Sequence, residues 1–285
     1  MVRIDIKFHS FACLHPELDL HQMVDFYSVF DGLWVEYFSN DIFDSIKALI
    51  LPNYKLLDEK FLINETEEKA LILFAKNNRK RYSINREIQH FKALNTFNKL
   101  LKSGILRIEK SKENKIEKSK HHKLKKELRD YVIQDKILFK DHYTRFHFYF
   151  LKPNENLILA GKFDELLEKI REKFEFYQSF CFEQLAREFV EKHFNLYCVQ
   201  SYWDRNLELD LYYKDETISL IGEVKFKNKK ICKNVLNDLY KKAQELNLKP
   251  NYYIIFSKNG FSKELESLQN EHLLLFDLSH FKALM

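Results

Sequence analysis

Glycine is scarce in this chain, with five among 285 residues. A phosphate-cradling G-x-x-x-x-G-K-[ST] loop needs two glycines and a hydroxyl in one short run. The nearest approach, "AGKFDE" at 160–165, lacks both the upstream glycine and the hydroxyl. Nucleotide hydrolysis by this chain alone is therefore not expected. Cysteine is also rare: Cys13, Cys181, Cys198 and Cys232 fall without any C-x-x-C spacing, so neither a zinc knuckle nor a disulfide framework is indicated. Free thiols fit a reducing cytoplasm. No stretch nears the roughly 18 apolar residues of a membrane span, and "MVRIDIKFHS" lacks a charged region followed by an apolar one. A cytoplasmic protein without membrane contact is the expectation. Neither sign of charge dominates, because 47 Lys and Arg stand against 42 Asp and Glu, for a net +5. Whole-chain electrostatics permit an anionic partner without demanding one.

Apolar residues make up 45% of the chain, with 26 Phe and 15 Tyr, enough for a sizeable and unusually aromatic core. Helical spacing in "MVDFYSVFDGLWVEYF" and "SIKALILPNYKLL" marks residues 1–58 as a helical segment. "NETEEKALILFAKNN" then opens with an N-cap and an acidic first turn, and brings Ala70, Leu71, Phe74 and Ala75 onto one face. "YSINREIQHF" and "KALNTFNKLL" predict two further short helices, stopped by Gly104 ahead of the alternating strand "ILRIEK". Three helices backed by a basic strand outline a winged helix-turn-helix over 59–112. Its Arg79, Lys80, Arg81, Arg86, Lys92, Lys99 and Lys102 stand where such a fold meets phosphates. Winged helices also serve as protein-interaction modules, and both readings stay open at this point. Residues 110–129 hold nine Lys or Arg against three Glu, either a solvated wing or a phosphate-tracking strip that includes Lys123, Lys125 and Lys126. The rest of 113–160 reads as a basic linker followed by an aromatic bridge that ends at Pro153.

The remaining part, 161–285, carries the chemistry. A long helical pattern runs from Asp164 to Phe194, either continuous or interrupted near Ser179, and the wheel tilts Glu183 toward its apolar face. Three strand-like runs follow, "LYCVQSYW", "NLELDLYY" and "ISLIGEVKF", the last two joined by "KDET" as a turn. Setting Tyr213 opposite Ile218 places Glu208 opposite Glu223, and Asp210 diagonal to Glu223 on the face that also carries Lys225. Leu207, Leu209, Leu211, Val224 and Phe226 would then share the other face. Two carboxylates so placed repel, and a proton, a basic group or a divalent cation must relieve them. Hard oxygen donors in an open cluster suit Mg2+ or Mn2+, and a lysine on the same face suits the orientation of an attacking water. That combination favours phosphodiester hydrolysis. The alternative is an exposed sheet face carrying routine ion pairs.

The helix with Glu183, "ELDL", "GEVK", the helix "CKNVLNDLYKKAQEL", and the strands "NYYIIFS" and "LLLFDL" together resemble the core of PD-(D/E)XK nucleases. More narrowly, "YVIQDKILF", "FHFYFLKPN", "FCFEQLAREFV", "SYWDRNLELDL" and "GEVKF" resemble the C-terminal domain of the archaeal-type P-loop ATPases, here with the ATPase module absent. The resemblance covers roughly residues 20–285 and implies a winged helix followed by an α/β restriction-endonuclease-like domain, a central mixed sheet flanked by helices. It also implies that Asp210, Glu223 and the Val224 carbonyl hold the metal, that Lys225 assists the nucleophile and that Glu183 supports this or a second metal. Ser179 stands where the family commonly has glycine, and Phe226 where it has tryptophan.

The expected function is a divalent-metal-dependent deoxyribonuclease with DNA as its partner. The rivals are a catalytically silent DNA-binding module and an interaction scaffold, with a homodimer or a separate ATPase as further partners.

Overall fold

The computed structural model describes residues 7–76, 79–113 and 131–285. Lys123, Lys125 and Lys126 lie outside them. Four helices open the chain: α1 (Lys7–Leu14), α2 (Leu20–Phe30), α3 (Ile42–Ser45, continued as a π-turn over Ile46–Ile50) and α4 (Tyr54–Asp58). Asp19 caps α2 in a reciprocal box with Gln22, and eight of its eleven residues, among them Phe26, Tyr27 and Phe30, are buried.

The cap expected at Asn64 forms: its side chain accepts the Thr66 and Glu67 N–H groups, and α5 (Glu65–Ala75) buries Ala70, Leu71, Phe74 and Ala75 as the spacing requires. The next predicted helix is only a 3-10 segment, Arg81–Arg86, and the third is α6 (His90–Lys102). β1 (Leu106–Glu109) and β2 (Lys136–Phe139) pair antiparallel, with Leu106 opposite Phe139. Ile84, Phe97, Leu106, Ile137 and Phe148 close a small core of their own between these helices and the two strands. The aromatic stretch that follows serves two cores. In α7 (His142–Phe146) and the π-turn His147–Leu151, Phe146 and Phe150 enter the larger core while Phe148 enters the smaller one.

After the short α8 (Glu155–Leu159) comes α9 (Phe163–Phe194), a 32-residue helix with no break at Ser179. Ser179 is accommodated because its hydroxyl donates back to the Phe176 carbonyl at 2.8 Å. Asp164 and Glu165 in the first turn and Lys192 and His193 in the last suit the helix dipole, and Asn195 ends the helix in the left-handed region at φ 52°. The final sheet has the order β3-β4-β5-β6-β7, from β3 (Gln200–Trp203), β4 (Glu208–Lys214), β5 (Ser219–Lys225), β6 (Tyr252–Ser257) and β7 (Leu273–Asp277). Its first two pairings are antiparallel and its last two parallel. The crossover to β6 runs through α10 (Asn234–Glu245), and a short α11 (Lys263–Glu266) precedes β7. α9 covers one face through Phe182, Leu185 and Phe189 against Leu211, Val224 and Phe256. α10 covers the other through Leu236 and Leu239 against Leu209, Ile221 and Ile255.

Gly222 lies on β5 opposite Leu211 of β4 on one side and Ile254 of β6 on the other. A Cβ there would lie 2.5 Å from the Ile254 carbonyl oxygen and 2.9 Å from Leu211 Cδ1. A backbone atom cannot step aside, so Gly222→Ala should cost about 2–3 kcal/mol of stability. Urea unfolding with an unchanged m-value checks this, and a variant as stable as the parent would refute it.

Candidate active site

The turn between β4 and β5 lies one residue later than "KDET" suggests. Asp215 opens it by accepting the Thr217 and Ile218 N–H groups at 2.7 and 2.8 Å, so Lys214 stays in the strand opposite Ser219. Relative to the expected register, the strands slide by two residues, an even slip that alone would keep every side chain on its expected face. A bulge then alters the faces. Gln200 pairs with Tyr212 but Tyr202 with Leu209, which leaves Asp210 and Leu211 together opposite Ser201. The expectation that Leu207, Leu209 and Leu211 share a face with Val224 and Phe226 is therefore corrected. Leu207 and Leu209 join the α10 side, whereas Leu211, Val224 and Phe226 join the α9 side. Glu208 is likewise not opposite Glu223, because β4 and β5 pair with Leu211 against Gly222; on its other side it pairs with Trp203 of β3, and its carboxylate bonds the Lys136 ammonium.

The bulge re-aims Asp210 off the regular alternation. Its Oδ2 accepts the Val224 N–H at 2.8 Å and lies 3.6 Å from Lys225 Nζ. Glu223, buried on the α10 side, bonds the ammoniums of both Lys225 and Lys242. Lys242, on α10, also donates to the Glu208 carbonyl at 2.6 Å. From the opposite face α9 brings in Glu183, and a cleft of about 490 Å³ is lined by Glu183, Asp210, Val224 and Lys225. Of the four side chains singled out from the sequence, Glu183, Asp210 and Lys225 thus line one open cleft, and Glu223 is joined to it from the α10 side through its bond to Lys225.

The charges there are mutually perturbed. Burial first, and then the charge of Asp210, pushes the Glu183 carboxyl up to about 7. Burial and then Glu223 raise Asp210 as well, against the pull of Lys225 and the Val224 N–H. For Lys225, burial opposes the charge, but Asp210 and Glu223 more than offset it and its pKa rises. Folded Glu183 holds its proton more tightly than the unfolded side chain, whose ordinary value is 4.5. Its effect is absent at lower pH, and stability declines as pH rises from there through about 7. In EDTA, Glu183→Gln should remove this decline and stabilise the protein at pH 8 by on the order of 2 kcal/mol. Chemical unfolding at pH 5 and pH 8 measures it, and equal effects of the substitution at both values would contradict it.

A family described as archaeal and bacterial proteins of unknown function matches residues 147–235, a stretch that contains Glu183, Asp210, Glu223 and Lys225. An uncharacterized protein of Methanocaldococcus jannaschii is 32% identical over 155 residues, spanning 50% of this chain and 34% of that protein. The chain thus spans about a third of the length of the curated relative it matches. No solved structure matches it. Among the described residues no helix is long and apolar enough to cross a membrane.

The basic residues of 59–112 expected to meet phosphates divide into three sets. Arg86, Lys92, Lys99 and Lys102 are exposed, and Lys80 and Arg81 are half-buried, with the Arg81 guanidinium 4.8 Å over the Phe97 ring. Arg79 is corrected: it is 5% exposed, lies 3.9 Å over the Phe180 ring and pairs with Glu109 at 3.8 Å. Its charge serves the interior, and burial lowers its pKa to about 10. Glu109 in turn accepts from Arg187 at 2.9 Å and from the Ser201 N–H and hydroxyl at 3.0 Å each. Arg187 Nε donates to the Asp210 carbonyl at 3.2 Å, which ties this buried cluster to the backbone of the bulge. Sequence reasoning passed over Arg187, Glu109 and Lys242. Lys242 carried one weak signal, in that it directly precedes Ala243 on the edge of the buried stripe of α10.

Proposed function

We propose that this chain is a divalent-metal-dependent deoxyribonuclease, with β3–β7, α9 and α10 forming a PD-(D/E)XK nuclease-like unit and α5, α6, β1 and β2 a winged-helix unit. The observation that carries it is the meeting of Glu183, Asp210, Val224 and Lys225 in one cleft beside Glu223. Asp210, Glu223 and the Val224 carbonyl would hold Mg2+ or Mn2+, with Glu183 in support. The donor set fits such an ion in kind: its oxygens are hard, and among the described residues no donor bonds the raised Glu183 carboxyl. Among the described residues no three acidic, His or Cys side chains close around a single point. Water and substrate phosphate oxygens would therefore complete the ligands, as is usual for magnesium. Bound there, the ion would supply charge stabilisation to the phosphoryl group. Lys225 orients the attacking water and stabilises the developing charge, while the exposed Arg86, Lys92 and Lys99 hold the DNA backbone.

One observation favours a second reading, a catalytically silent DNA-binding module: two lysines already neutralise Glu223. Incubating plasmid, linear and forked DNA with the protein in Mg2+, Mn2+ or EDTA separates the two. Cutting in either metal and none in EDTA is the expected result. Salt-sensitive binding by a folded protein that never cuts would favour the silent module.

A further inference from the structure

Beside the acidic cleft, a second concavity of about 850 Å³ lies along α9, and Glu172 and Phe176 stand in the walls of both. Its chemistry is different. Lys76, Lys169 and Lys173 line it against a single acid, Glu172. Lys169 reaches Glu165 at 3.5 Å, whereas among the described residues Lys76 and Lys173 have no carboxylate partner. Tyr149 and Phe176 supply aromatic surface, and Phe176 is 59% exposed although its helix neighbours Phe174 and Tyr177 are buried. The bare ring stands at the junction of the cationic groove and the acidic cleft.

We propose that this groove seats an unpaired DNA strand and leads it into the cleft, its bases stacking on Phe176 and Tyr149 and its phosphates meeting Lys76, Lys169 and Lys173. The outcome in the cleft rests on the nuclease reading, whereas the seating of the strand does not. Aromatic rings beside cations in an open groove are the combination that holds single strands without regard to sequence. A duplex keeps its base faces stacked inside, so it would engage the lysines but leave Phe176 without a partner. An apolar peptide would cover Phe176 but leave Lys76 and Lys173 without an anion. The unpaired strand satisfies both.

The test is fluorescence anisotropy of a labelled 20-nucleotide single strand and of the duplex of the same sequence, in EDTA, with the full chain. Phe176→Ala should weaken single-strand binding about tenfold and duplex binding less than twofold, with Phe176→Trp restoring the single strand. Lys173→Glu should weaken both, and more so at low salt. Because Phe176 is exposed, its variants should melt with the parent. Equal loss on both ligands, no loss on either, or no strand binding by the parent would each overturn the groove. Adding Mg2+ to the same proteins on a forked substrate keeps the two proposals apart. Cutting that Phe176→Ala leaves untouched sinks the groove and spares the nuclease. Strand binding that depends on Phe176 without any cutting does the reverse.

Discussion

Glu109→Ala should lower the free energy of unfolding by about 3–5 kcal/mol, which for a chain of this size corresponds to a fall in Tm of roughly 10 °C. Glu109 is 4% exposed and is the common anion for Arg79, 5% exposed, and Arg187, 8% exposed. Removing it takes from two buried guanidiniums the one carboxylate that pairs with both, leaving them only the influence of Glu183 and, for Arg187, Asp210, and leaves two hydrogen bonds from Ser201 unmade. Burial works against the Glu109 charge, yet Arg187 and Arg79 with the Ser201 N–H hold its carboxyl below the ordinary range. Its contribution is therefore whole above the unfolded carboxyl pKa and fades as pH falls through the lower folded value. The deficit of Glu109→Ala should shrink at the acid end of a pH series. Combining it with Arg187→Met should recover part of the loss, because one stranded charge is then gone. Parental stability of Glu109→Ala at pH 7 would show that the cluster is not held as described.

The second large effect concerns cleavage. Asp210→Asn and Lys225→Ala should each reduce metal-dependent DNA cutting at least about 100-fold. Asparagine is the informative replacement at Asp210, because its amide oxygen can still accept the Val224 N–H that Asp210 takes at 2.8 Å. The bulge survives while the charge is lost, so lost cutting reports chemistry rather than folding. Since the charge of Asp210 helps to raise Glu183, the same variant should move the Glu183 titration downward from about 7, a shift that carboxyl-resolved NMR can follow. Undiminished cutting by Asp210→Asn would remove Asp210 from the site.

Much of this site was legible because periodicity and residue type are local properties. The cap of α5, the alternation of β5 and the grouping of acids with a lysine need only neighbouring residues. The bulge at Asp210–Leu211 was not legible, because the strand text "LELDLYY" alternates perfectly and the extra residue is visible only against its partner Ser201. Arg79 was misplaced for a related reason. Its charge is visible in the sequence, but the groups that draw it inward, Glu109 and Phe180, stand 30 and 101 residues away. Lys242 reads as solvated helix surface until Glu223, 19 residues earlier, is brought under it.

Helix α9 has one further consequence. At 32 residues it is roughly 48 Å long, and its side chains enter a single core that runs from Phe8 and Phe30 through Tyr177 and Phe182 to Phe281. Tyr177 donates both to Ser28 in the first quarter of the chain and to His142 near its middle. A recombination event joining residues 161–285 to foreign upstream sequence would strip that helix of its packing partners. The helical and sheet halves are therefore expected to be inherited together, with Phe30, Tyr177 and Phe182 changing in concert rather than one at a time.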